Sequence, residues 1–119
     1  MEVLRSIQRN AKTQRAKINL EKAENNLKET EQKLKFQIES AKSNYQFALE
    51  KYETTKENLK LAKRIENKNQ TKYKEGIATS FELRQAQQQL YSSQQEFLQS
   101  MLDVINKKVE LETITNQTK

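Results

Sequence analysis

The sequence predicts an all-α fold, a long antiparallel coiled-coil helical hairpin with unequal arms at about residues 5–74 and 80–116. Three observations carry that prediction. The 119 residues contain no proline and a single glycine, so almost nothing interrupts a helix. Apolar residues recur at alternating steps of four and three in two separate stretches, the spacing of a left-handed supercoil. The one glycine, Gly76, stands between those stretches and is followed at once by a helix-start signal.

The first arm is read from about Arg5 to Lys74. From Ala41 to Ala62 its seam is unbroken: Ala41, Tyr45, Ala48, Tyr52, Thr55, Leu59 and Ala62, with Leu34 and Ile38 extending it backward. Farther upstream Leu20, Leu27 and Leu34 hold every seventh place, but Glu24 and Glu31 occupy the positions between. That stretch has one row of leucines and one row of carboxylates.

The turn is predicted between Lys74 and Ser80. Gly76 can take the left-handed conformation that ends a helix without Cβ strain. Thr79-Ser80-Phe81-Glu82 has the spacing of a capping box, with the Thr79 hydroxyl accepting from the Glu82 amide and the Glu82 carboxylate reaching back to Thr79. Ala78 and Leu83 take the flanking places of a weak hydrophobic staple.

The second arm runs from Ser80 to about Asn116, with a seam at Leu83, Ala86, Leu90, Ser93, Phe97, Ser100 and Val104. A second stripe lies beside it at Tyr91, Gln94, Leu98, Met101 and Ile105, so this helix is expected to touch more than one neighbour. At 1.5 Å per residue the arms measure about 100 Å and about 55 Å, and the second folds back only to around Lys42. About 35 residues of the first arm are then expected to find their partner in another chain or another part of a longer protein.

Composition narrows the function. Hydrophobic residues make up 34% and charged residues 32%, too little apolar material for a compact globule, while the regular spacing favours helix over disorder. Without Cys or His, no Ser–His or Cys–His nucleophile pair can be built and zinc lacks its usual ligands. One glycine cannot make a phosphate-binding loop. The chain is therefore read as no enzyme, with no metal and no cofactor. No apolar run is long enough to cross a bilayer, and the start lacks the apolar stretch of a secretion signal. Through Glu75 there are 18 Lys/Arg against 11 Asp/Glu, a balance of +7, and from Gly76 onward 4 against 5. In the basic arm lysines alternate with glutamates, and aromatic residues set to stack on bases are not evident, so no nucleic-acid partner is expected.

The turn Tyr73-x-x-Gly76-x-x-Thr79-Ser80-x-Glu82-Leu83-x-x-Ala86 resembles the periplasmic tip of the TolC family of outer-membrane efflux proteins. Asn19-Leu20-Glu21-x-Ala23, Ala41-x-x-x-Tyr45-x-x-Ala48 and Leu90-x-x-x-Gln94 with Phe97 and Leu98 are similar to motifs of that family's long helices. The resemblance implies a segment of a trimeric α-barrel, a tunnel through the periplasm of a Gram-negative cell that works with a periplasmic adaptor protein and an inner-membrane pump. Residues 1–119 then form a single helical hairpin, the second of a longer protein or a truncated copy, with the membrane β-barrel strands absent and no crossing of the membrane by the segment itself.

The resemblance also names site residues. Glu82 matches an acidic tip position that symmetry makes into a carboxylate ring, and its other reading is the capping box alone. Tyr73 matches a tyrosine that constricts the closed mouth, and its other reading is a seam aromatic. Gly76, Thr79 and Glu82 form the turn and cap. The best-known family member has a basic residue two places after the glycine, where Ala78 stands here, and a second acid where Gln85 stands. Arg84 is read as a solvated helix residue. The alternative function is a structural coiled-coil hairpin, either a periplasmic adaptor hairpin or a generic rod. Adaptor tips carry Leu four residues after Arg, whereas Arg64 and Arg84 are followed there by Lys68 and Gln88.

Overall fold

The computed structural model describes residues 1–117. They form two helices, α1 (Glu2–Lys74) and α2 (Ser80–Gln117), with no strand among the described residues. The fold is the all-helical hairpin that the periodicity predicts. α1 begins three residues before the expected Arg5. No breaker lies between them, the Arg5 amide donates to the Met1 carbonyl at 3.3 Å, and Glu2 sits in the first turn, where the helix dipole favours an acid.

The chain divides into two compact units, Met1–Gln37 and Ile38–Lys119. In the first, every residue through Lys33 is exposed, including Leu20 and Leu27 of the sparse leucine row. Leu34 is the first half-buried side chain.

In the second unit both seams are covered. Ala41, Ala48, Thr55 and Ala62 are buried on α1, and Ala86, Ser93 and Ser100 on α2. Tyr45, Tyr52, Leu59, Leu83, Leu90, Phe97 and Val104 are half-buried between them. Small residues thus lie deepest, each at a seven-residue interval, and larger ones close over them.

Two contacts set the axial register. The hydroxyls of Thr55 and Ser100 meet at 2.6 Å, and the rings of Tyr52 and Phe97 lie 5.3 Å apart at 31°. These contacts run diagonally in opposite senses, so Tyr52 stands level with Ser100 and Thr55 with Phe97. Carried along both arms, the register sets Leu59 beside Ser93, Leu90 beside Ala62 and Val104 beside Ala48. A large side chain faces a small one in each of these layers, which lets facing rows interdigitate without voids. The aromatic pair adds about 0.5–1.5 kcal/mol beyond its area.

Electrostatics contributes little to the pairing. The ion pairs Lys60–Glu57 and Lys107–Glu110, each at 3.3 Å, are exposed and lie within single helices.

Candidate functional site

The turn is where the chain concentrates specific geometry. Gly76 has φ 79°, the left-handed region, and its open surroundings leave nothing within 4 Å of a Cβ built there. The glycine is required by backbone conformation and not by space. Around it the Gly76 amide donates to the Tyr73 carbonyl at 3.0 Å and the Ile77 amide to the Lys72 carbonyl at 2.8 Å. That pair of bonds is a Schellman motif, which satisfies carbonyls that the end of α1 would otherwise leave without partners. The Ala78 amide adds a second donor to the Lys72 carbonyl at 3.2 Å.

The capping box forms as predicted. The Glu82 amide donates to Thr79 Oγ1 at 3.2 Å, and the Thr79 amide donates to Glu82 Oε2 at 3.1 Å. The Leu83 amide donates to the Thr79 carbonyl at 3.1 Å and starts the helical ladder of α2. Of the staple pair, Ala78 is buried and Leu83 half-buried. Gly76, Thr79 and Glu82 are thus joined in one hydrogen-bonded turn, and Tyr73 enters it through its carbonyl.

The side chains at this end face water. Tyr73 is 47% exposed, Ile77 71% and Phe81 66%, three large side chains left open in and beside the turn. Tyr73 therefore does not pack as a seam aromatic in the way Tyr52 does. Glu82 is exposed although it is spent on the cap, so its second carboxylate oxygen faces solvent or a neighbour. Arg84 is exposed and takes part in no ion pair among the described residues. Glu82 borders an open groove whose walls are mostly amide and hydroxyl groups, from Asn69, Gln85, Gln88, Gln89 and Ser92, with Ile65 and Ala86 beside them.

The second stripe of α2 lies uncovered. Tyr91, Leu98, Met101 and Ile105 are all exposed, beside a seam that α1 already covers. No group of acidic side chains among the described residues could hold a metal ion. No helix among them is long and apolar enough to cross a membrane.

Sequence reading stopped the α1 seam at Ala62, whereas the structure continues it through Glu66, which is buried, and half-buried Asn69. Continuing the four–three count from Ala62 reaches both positions; their polarity concealed them.

The family model of outer membrane efflux proteins matches residues 4–117. No curated protein and no solved structure gives a significant match to the chain.

Proposed function

Because the chain belongs to the outer membrane efflux protein family, we propose that it is a wall segment of an efflux tunnel in the periplasm, assembled as a trimer and engaged by an adaptor protein and an inner-membrane pump. The family is one of transport proteins rather than enzymes. The observation that carries the proposal is the exposed stripe Tyr91, Leu98, Met101 and Ile105 next to a seam that is already filled. A two-stranded hairpin needs one seam per helix. A helix in the wall of a cylinder has neighbours on both sides and needs two. The exposed leucines of the first unit, Leu20 and Leu27, are read in the same way, as a row to be covered by another part of the assembly.

Within this reading, Glu82 and Tyr73 stand at the tunnel mouth. Symmetry brings three copies of the Glu82 carboxylate around the axis, where they attract cations and repel anions. The cap role and the mouth role coexist, because the cap uses one carboxylate oxygen.

The test is assembly. Leu98→Glu with Met101→Glu places charge on the stripe and leaves the covered seam untouched. Light scattering of the full-length protein should show trimers for the natural sequence and monomers for the double variant. Trimers that persist in the variant would exclude this stripe as a wall contact. A natural sequence that is monomeric at all concentrations would favour the isolated structural hairpin.

A further inference from the structure

On α1 the large seam side chains recur every seventh residue as Ile38, Tyr45, Tyr52 and Leu59, all half-buried. The next place in that row is Glu66. It is only 9% exposed, level with buried Ala86 across the seam, in the layer that follows Leu90 and Ala62 toward the turn. Its carboxylate makes no ion pair or hydrogen bond among the described residues. No buried side-chain oxygen lacks a partner, so the carboxylate oxygens keep contact with water while the stem lies in the seam.

A carboxylate without a partner cannot be sealed from water without a large desolvation penalty. This layer therefore holds a charged group at its water-facing edge, where the preceding layers carry the apolar side chains of Leu59, Leu90, Tyr52 and Phe97. The following layer is weak as well, with Asn69 in the seam, and an open groove lined by Ile65, Asn69, Gln85, Ala86 and Gln89 runs alongside. Past Glu66 the turn itself is well made, with its Schellman bonds and capping box intact. A firm turn is thus joined to the apolar coiled coil through two layers that carry polar side chains, Glu66 and Asn69, in the seam.

We infer that Glu66 is a built-in weak layer that lets the turn-bearing end of the hairpin, from about Ile65 through the turn to Gln89, part and re-close as a unit while the seam from Ala41 to Ala62 stays paired. The inference goes beyond the efflux reading and does not depend on it, since it concerns only how the two arms meet. In the tunnel reading it would supply movement to the segment that carries Tyr73 and Glu82 without unfolding their turn.

Amide hydrogen–deuterium exchange on the full chain, natural sequence and Glu66→Leu, tests it. In the natural sequence the amides of 65–72 and 84–89 should exchange about tenfold or more faster than those near Tyr52 and Ser100, as expected for a separate local opening. Glu66→Leu completes the apolar row and should slow the first group by about tenfold, the effect of burying one more leucine, without slowing the second. Glu66→Met gives the same readout if leucine disturbs the fold, because its flexible chain fills an irregular gap. Equal protection of both regions in the natural sequence would overturn the inference. So would apolar variants that slow both regions alike or neither.

Discussion

Thr55 and Ser100 share more hydrogen-bond acceptors than they have protons. Their oxygens are 2.6 Å apart, Thr55 Oγ1 is 3.0 Å from the Tyr52 carbonyl, and Ser100 Oγ is 2.7 Å from the Phe97 carbonyl. Each hydroxyl donates once. Either Thr55 donates to Ser100 and Ser100 to Phe97, or Ser100 donates to Thr55 and Thr55 to Tyr52. Two arrangements of equal bond count hold the same junction. Because the hydroxyls meet only at one axial offset, the pair also resists slippage of one arm along the other, as a polar residue does in an apolar seam.

A double-mutant cycle measures that junction. Thr55→Val keeps the shape and should cost about 0.5–1.5 kcal/mol, as should Ser100→Ala. The double variant should cost less than their sum, since each single variant already loses the one bond between the two hydroxyls. Urea unfolding gives all three values. Strict additivity would mean that the two hydroxyls act only on their own helices.

At Gly76 the cost of substitution should follow backbone conformation alone, because the space around it is open. Gly76→Val should lose about 1–3 kcal/mol from a β-branched residue held at positive φ. Gly76→Asn should lose less, since asparagine visits this region readily. Thermal melts that rank the two variants in the opposite order would show that the glycine serves contacts and not φ.

Removing both halves of the capping box, Thr79→Ala with Glu82→Ala, should destabilise the hairpin by about 0.5–2 kcal/mol. Glu82→Gln keeps the box, because glutamine also serves at that position. Its melting temperature should stay close to that of the natural sequence. On the proposed reading of Glu82 at a tunnel mouth, the same variant of the full-length protein in planar bilayers should lose cation selectivity and divalent-ion sensitivity. Unchanged ion selectivity and divalent-ion sensitivity in Glu82→Gln would reduce Glu82 to a helix cap.

The two tyrosines Tyr52 and Tyr73 should respond oppositely to truncation. Tyr73 is 47% exposed and has no aromatic partner among the described residues, so Tyr73→Ala should change stability by no more than about 0.5 kcal/mol. Tyr52 stacks on Phe97, and Tyr52→Ala should cost about 2 kcal/mol, below the roughly 3–5 kcal/mol of a fully buried aromatic. Equal losses for both, by chemical denaturation, would place Tyr73 in the seam after all.

The parts of this fold legible in sequence are those governed by local chemistry. A single glycine followed three residues later by Thr79-x-x-Glu82 gives both ends of the turn, because the bonds involved span only a few residues. The seam from Ala41 to Ala62 was equally legible, since its side chains are small or apolar and the period does not drift. Glu66 escaped because its charge outweighed its position, and only the level of Ala86 opposite shows that its stem is covered. The upstream leucines Leu20 and Leu27 read as seam residues beyond the reach of the second arm, and they are exposed. Periodicity announces that a partner is wanted and is silent about which chain supplies it. The roles assigned to Tyr73 and Glu82 at a tunnel mouth lie on that same side of the divide, because they depend on neighbours across a symmetry axis.

Five consecutive amide hydrogens, from Glu75 to Thr79, are already committed within the turn: Glu75 to Thr71, Gly76 to Tyr73, Ile77 and Ala78 to Lys72, and Thr79 to Glu82. This stretch consequently cannot serve as a template for an extended peptide, which would need those same hydrogens for strand-like pairing. A protein that meets the loop must instead offer a greasy surface to Ile77 and Phe81, or donors of its own to the loop's carbonyl groups. Recognition through Ile77 and Phe81 would rest on side chains and shape, so a partner that used them would follow variation in the loop's sequence by changing its own surface in step.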